Sequence, residues 1–306
     1  MKAAKRIIAT LCASVICLSL TGCASSKYKT AKEKIASGDY EDAIELLTEL
    51  GDYKDSLSLI EEVEREQSYL LAVDCMKNSN YEDAINLFKE IGEYKDSIEL
   101  SEKAQNEVNY LAAIGFMEAG SFSEAYNAFL KLGNFSDANK KLDEVEKLAK
   151  AAIVENYKDV CFYLKDAKVN ETAAIVAVLQ TDDFSSMYAG FAAVIVDSKY
   201  IETDIEKIIS ISADLPFASD VKYQCEKILP LYSELANYSL SSSSASITAC
   251  LNLIETCDDT AMNVIANGLT PTIIDWNDSA HDSTSIIADY NDGLIPYFDS
   301  ILAALE

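Results

Sequence analysis

The sequence holds one histidine, His281, in 306 residues, and no lysine or arginine follows Lys227. A single imidazole with no convincing serine and carboxylate around it leaves a hydrolase triad without its base. No glycine-rich loop of the kind that cradles phosphate is present either. No catalytic residue, cofactor or metal ligand is therefore assigned, and the chain is not expected to be an enzyme. The scarcity of bases also bears on partners. The last 79 residues carry 11 carboxylate side chains and no lysine or arginine, and the whole chain sets 51 acidic residues against 25 lysines and arginines. A body this acidic repels phosphate backbones, which excludes nucleic acid as a natural partner and suits a solvated surface. The hydrophobic fraction of 49% is enough for packed cores, and the length suits two domains behind a short leader.

The first 23 residues form three zones: a basic start of Lys2, Lys5 and Arg6, an apolar run from Ile7 to Leu20, and then Leu20-Thr21-Gly22-Cys23. An apolar stretch of about 14 residues suits a signal segment and falls short of the roughly 30 Å core of a bilayer. Its end resembles the lipobox of bacterial lipoprotein signal peptides. That resemblance implies cleavage before Cys23 and lipidation of its thiol. Residues 1–22 would then be the signal peptide, residues 23–27 a lipidated tether, and the exported chain would be anchored to the outer face of the cell membrane, or of an outer membrane where the host has one. Loss of the three leader bases leaves the mature chain at a net charge of −29. Lys27, Lys29, Lys32 and Lys34 would lie beside the headgroups, with Ala24 to Lys27 spanning at most about 14 Å. Five further cysteines remain: Cys75, Cys161, Cys225, Cys250 and Cys257. An odd, widely spaced set is poor material for a disulfide framework, and Cys250 and Cys257 would sit about 10 Å apart along a helix. They are expected as small buried apolar residues.

Self-similarity dominates residues 28–150. At a spacing of 41, Tyr40-Glu-Asp-Ala43-Ile44 recurs as Tyr81-Glu-Asp-Ala84-Ile85 and as Phe122-Ser-Glu-Ala125-Tyr126. The same step links Tyr28, Tyr69 and Tyr110, and also Gly51, Gly92 and Gly133. Between the first two copies, 13 of the 21 residues from Tyr40 to Ile60 are identical, which is beyond chance. Each copy reads as a short helix with Ala43, Ile44, Leu47 and Leu50 on one face, ended by Gly51 as a left-handed residue. A long helix follows, from about Ser56 to Lys77, with Asp55, Asp96 and Asp137 expected as N-caps. Glu41, Asp42, Glu82, Asp83 and Glu124 fall in the first turns of the short helices, where acids stabilise the positive helix end.

These residues resemble the tetratricopeptide repeat. Its pattern of an aromatic residue, Ala three positions on and a large apolar residue four further matches Tyr40/Ala43/Leu47, Tyr81/Ala84/Phe88 and Phe122/Ala125/Phe129. The family period is about 34. Seven additional residues turn a helix through about 700°, close to two rotations, so the long helix can lengthen and keep its buried face. The family proline near the repeat end is replaced by a Tyr-Lys-Asp-Ser turn. The resemblance implies stacked helical hairpins and a groove that takes a protein or peptide.

Beyond residue 150 the repeat decays, with Ala151, Asp166 and Ala174 where a fourth copy would carry its signature. The expectation for residues 151–306 is an irregular helical bundle. The helix opened by Asp137 should run to about Ala167, followed by helices from Thr172 to Asp197, Thr203 to Ile211, Pro216 to Tyr238, Ala245 to Ala266 and Ser283 to Leu305. Pro216 is expected at a first helical position, Gly268 at a helix C-terminus, Ser241 to Ser244 in a loop, and Pro230 and Pro296 at kinks. Ile175 to Leu179 and Phe191 to Val196 are alternatives for buried strands. Asp275, Asn277 and Ser279 alternate as in a calcium loop, but Ala280 and Ile286 stand where that loop needs Gly and Glu, so no metal is assigned. Trp276 is read as a packing residue.

The expected fold class is all-α, a TPR-like hairpin solenoid followed by the bundle. The expected function is a membrane-tethered extracytoplasmic adaptor that holds an unidentified protein or peptide partner, its binding residues not assigned. The alternative is a receptor for a small molecule or cation, using the C-terminal bundle. The first expects an exposed groove within residues 28–150 and the second a deep pocket within 150–306. A third class, an enzyme, would need Asp275, Asp278 and Asp282 to act together, and nothing in their spacing defines a geometry.

Overall fold

The computed structural model describes residues 23–181 and 184–281, and every secondary-structure element among them is helical. Helix α1 covers residues 23–37. Then follow α2 (Tyr40–Leu50), α3 (Ser56–Lys77), α4 (Tyr81–Ile91), α5 (Ser97–Glu118), α6 (Phe122–Leu132), α7 (Ala138–Thr181), α8 (Phe184–Ser212), α9 (Ser219–Ala236), α10 (Ser244–Val264) and α11 (Thr270–His281). The chain clusters into two compact units, one up to Asn109 and one from Tyr110, so the boundary falls inside α5 and the third hairpin belongs with the C-terminal helices.

The first unit is built of hairpins. The short helices α2 and α4 bury Ala43 and Leu47, and Ala84, Ile85 and Phe88, against the long helices beside them. Gly51 (φ 54°, ψ −124°), Gly92 (φ 61°, ψ −133°) and, in the second unit, Gly133 (φ 57°, ψ −117°) end the short helices. The positive φ agrees with the sequence, but the negative ψ does not belong to a left-handed helical residue. It is the first corner of a type II′ turn, a conformation that favours glycine.

The aspartates expected as N-caps do something else. Asp55 makes no side-chain bond to its helix. Its carboxylate instead accepts the Tyr28 hydroxyl at 2.5 Å, and the same bond joins Tyr69 to Asp96 at 2.6 Å and Tyr110 to Asp137 at 2.5 Å, each across 27 residues. Each tyrosine thus ties one long helix to the start of the next. Its ring packs edge-on against the aromatic two residues before the aspartate, at 6.0 Å for Tyr53, 6.1 Å for Tyr94 and 6.4 Å for Phe135. It also meets the short helix between, at Phe88 (6.1 Å) and Phe129 (5.8 Å). Lys54 and Lys95, both at positive φ, place their ammonium groups 4.4 and 4.6 Å from the Tyr28 and Tyr69 ring centroids. A phenol offered to a carboxylate binds the charged acid, so the Asp55 carboxyl is held below its usual range while the Tyr28, Tyr69 and Tyr110 hydroxyls are raised.

In the second unit α7 runs 44 residues, about 66 Å at helical rise, because no glycine or proline interrupts Ala138 to Thr181. The sequence reading ended this helix near Ala167 and opened another at Thr172. No breaker stands there, and both Ile175–Leu179 and Phe191–Val196, the alternative strands, are helical. Likewise α8 continues through 198–202, where a gap was expected. The two helices approach closely at Gly190, where an added Cβ would meet the Ala174 Cβ at 2.6 Å and the Asn170 carbonyl at 2.9 Å. The main core gathers Tyr157, Val160 and Leu164 of α7, Ile201, Ile205 and Ile208 of α8, and the inner faces of α9 to α11. A second core at the other end holds Phe191, Leu235, Cys250, Ile254 and Cys257.

Of the proline and glycine placements in this half, the one at Gly268 needs correction. Pro216 opens a short 3-10 turn (Pro216–Ala218) ahead of α9, and Pro230 lies inside α9. Gly268 does not end a helix: it sits in a π-helical segment, Ile265–Leu269, that passes directly into α11. There the chain lies against Gln224, whose Cδ would stand 3.0 Å from an added Cβ, so a side chain at this position would require the Gln224 side chain to give way. Thr270 holds the widened turn, its hydroxyl donating to the Ile265 carbonyl at 2.9 Å and meeting the Tyr157 hydroxyl at 2.6 Å. Ser283 to Leu305, Pro296, and the leader through Gly22 lie outside the described residues.

Candidate functional site

Two open clefts lie on the first unit. One, of about 410 Å³, runs between α4 and α5, with Ile85, Phe88 and Ser97 as its buried floor and Lys89, Ile98 and Glu102 on its rim. Ile98 stands on the first turn of α5 with 53% of its surface exposed, and Leu57 holds the same repeat position on α3 at 54%. An apolar residue left exposed in the same place on successive hairpins does not serve either hairpin's own core. The other cleft, of about 300 Å³, lies between the end of α1 and the middle of α3, under Tyr40 and Tyr94.

The second cleft owes its shape to Glu66. This carboxylate accepts the Tyr94 hydroxyl at 2.8 Å and pairs with Lys95. Lys95 beside it holds the Glu66 carboxyl below its usual range, while partial burial and the bond to Glu66 push the Tyr94 phenol up to about 12. Val63 forms the buried floor, flanked by Ile35 and Leu59.

On the second unit, a depression of about 450 Å³ lies at the corner between α8 and α9. Only Ser212 and Leu215 of its lining are buried, and Asp214, Ser219, Tyr223 and Glu226 are at the surface. It is a surface hollow in form.

No family model, curated protein or solved structure matches the chain. What the chain does must be read from its own residues.

Cys23 is exposed on the first turn of the described part of α1. Residues 24–27 are helical, so they rise only about 6 Å and do not form an extended spacer. The four lysines expected near the headgroups are not a free basic face. Lys27 pairs with Glu49 at 2.5 Å, Lys34 with Asp42 at 2.7 Å and Asp39 at 3.1 Å, and Lys29 with Glu33 at 3.6 Å. Carboxylates of α2 and its approach sit on two of them, an arrangement that helix spacing alone did not reveal.

The remaining sequence candidates fall into structural roles. Cys161, Cys225, Cys250 and Cys257 are buried and Cys75 is half-buried, all as free thiols. Burial pushes the Cys161, Cys225 and Cys257 thiols up to about 12, which keeps them protonated and unreactive. Asp275 and Asn277 lie within α11, where residues two apart stand about 200° from each other around the axis and do not converge as in a calcium loop, and the side chain of Ser279 is outside the described set. Trp276 is 7% exposed, meets Phe217 edge-on at 6.3 Å and has the Lys150 ammonium 5.4 Å from its ring. The side chains of Asp278, Asp282 and His281 are outside the described set. Among the described residues no three His, Cys, Asp or Glu side chains gather as a metal site, and no helix is long and apolar enough to cross a membrane.

Proposed function

We propose that the chain is an extracytoplasmic adaptor, anchored through a lipidated Cys23 to the outer face of a membrane, which holds a protein or peptide partner on TPR-like hairpins. The observation that carries this reading is the pair of open, apolar-floored, polar-rimmed clefts on successive hairpins of the first unit. A stable interface draws its affinity from a few anchor side chains that fill such hollows, with polar groups around them. The anchor reading is supported by the basic, apolar and Leu-Thr-Gly-Cys zones of the leader, and by the exposure of Cys23.

Site-specific photo-crosslinking in cells tests the partner reading. A photoreactive phenylalanine analogue at Ile98 should give a discrete adduct that is absent when the same group replaces Tyr223 on the second unit. Adducts of equal yield from both positions, or from neither, would reject the groove. Acylation is read separately: the wild-type chain should carry an acyl mass on Cys23, and Cys23→Ser should remain unprocessed or be shed. A variant that still partitions with salt-washed membranes would show the anchor to lie elsewhere.

A further inference from the structure

We propose that the cleft between α1 and α3 is a pocket for a lysine or arginine side chain of the partner, its aliphatic stem lying over Ile35, Leu59 and Val63 and its charged head meeting Glu62, Glu66 and Tyr40. The inference deepens the adaptor reading and rests on it.

The cleft is polarised along its length. At one end, Glu62 and Glu66 stand one turn apart on the same face of α3, with Tyr94 and Tyr40 beside them. Both glutamates and Tyr40 act electrostatically on the Tyr94 hydroxyl, which places the four groups together. At the other end lies Lys32, whose ammonium stands 5.8 Å from the Tyr28 ring and acts on Asp55. Between them the lining is aliphatic.

The carboxylates are unequally served. Glu66 already holds Lys95 and Tyr94. Glu62 has no ion pair or hydrogen bond among the described residues, so two negative charges face each other across one helical turn with one lysine between their needs. Like charges four apart on a helix repel, and a second cation at Glu62 would remove that repulsion. A bare metal ion is a poor answer, because no third carboxylate converges there among the described residues. A lysine or arginine side chain satisfies both requirements at once. Its methylenes cover the aliphatic floor and its head stays at the wet, acidic rim, the way such side chains lie on protein surfaces. Arginine can also stack on the phenol faces. The net charge of the chain favours a basic partner at longer range.

The test uses the whole mature chain from residue 23, soluble as Cys23→Ser, with methyl groups labelled for NMR. Three blocked pentapeptides serve as probes: acetyl-Ala-Ala-X-Ala-Ala-amide, with X as lysine, norleucine or glutamate. The lysine peptide should shift the methyl signals of Ile35, Leu59 and Val63 saturably. It should bind about fivefold more tightly than the norleucine peptide, the upper end of what a half-exposed ion pair contributes. Glu62→Gln should abolish that preference, and Lys89→Gln on the neighbouring cleft should leave it intact. Equal binding of the norleucine peptide would overturn the proposal, since the cleft would then read only apolar surface. So would non-saturating shifts scattered over the acidic surface, or no shifts at these three residues. Each of those results leaves the crosslink from Ile98 untouched, so the pocket can fail while the adaptor reading stands.

Discussion

Tyr69 is the most informative single position in the repeat, because its hydroxyl and its ring do separable work. The hydroxyl donates to the Asp96 carboxylate at 2.6 Å, tying α3 to the start of α5. The ring meets Phe88 and Tyr94 edge-on, each at 6.1 Å, and lies under the Lys95 ammonium. Tyr69→Phe removes only the bond. A hydrogen bond to a charged acceptor contributes about 1.5 kcal/mol or more when shielded, and solvent around Asp96 reduces this to about 1 kcal/mol. Tyr69→Ala also removes the ring. The lost packing and the cavity bring the cost to about 3 kcal/mol. Both can be measured by hydrogen exchange followed by mass spectrometry on segments spanning α4 and the start of α5, where local opening is read without assuming that the two units unfold together. A double-mutant cycle with Asp96→Asn should return a coupling of about 1 kcal/mol, most of the Tyr69→Phe effect. If the cycle returns zero coupling, the tyrosine and aspartate are neighbours without being linked. If Phe and Ala cost the same, the ring is not packed as described.

Ser79 holds φ at 61° where the other hairpins place Gly38 and Gly120. Ser79→Gly should therefore raise stability by about 0.5 kcal/mol and Gly120→Ala lower it by about 1 kcal/mol, both read from urea midpoints. Gly190→Ala should loosen the α7–α8 crossing, because the new Cβ would lie 2.6 Å from that of Ala174, and a fall of several degrees in the second unit's melting temperature is expected. Acidification should act on the two units in opposite senses. In the first unit the Asp55 and Glu66 carboxyls are held low by Tyr28 and Lys95, so their stabilisation is present above the unfolded carboxylate value near 4 and is lost as pH falls through their lowered values. In the second, burial and neighbouring acids raise Asp159 and Asp197, so stability is full below about 4 and declines as pH rises through their raised values. Hydrogen exchange resolved by unit between about pH 3 and about pH 6, which brackets that value by on the order of one to two units, should show the crossing trends, and parallel trends would contradict the assignment.

The repeat was readable because its signals are local and recur. The long helix from Ser56 to Lys77 was placed correctly at both ends, since Asp55 and the polar Asn78-Ser79-Asn80 bound it. The period also exposed Tyr28, Tyr69 and Tyr110, but not their partners. An aspartate just ahead of a helix has a well-understood local use, and only the fold brings a phenol from 27 residues earlier within reach of it. The C-terminal helices were recognised as helical but wrongly divided. Residues 168–171 and 198–202 hold no glycine or proline to break a helix, and α7 and α8 run through them, the second with Ile201 buried in the main core. The π-helical turn at Ile265–Leu269 left no sequence trace except Gly268, whose meaning depends on Gln224 lying opposite. The clefts were invisible for a related reason: periodicity tells which face of a helix is covered, and the depth of what remains depends on how far apart two helices stand.

The buried cysteines give the second unit a built-in clock. Among the described residues, four thiols, Cys161, Cys225, Cys250 and Cys257, are enclosed there, while the first unit holds the half-buried Cys75 and the exposed Cys23. A thiol reagent too large to enter a packed core can reach the four only when their helices part. Cys161 and Cys225 lie in one core and Cys250 and Cys257 in the other, so the order in which the pairs are labelled reports which end of α7 and α8 separates first. Labelling of Cys75 supplies an independent trace from the hairpins. The native chain thus records its own opening, position by position, without any engineered probe.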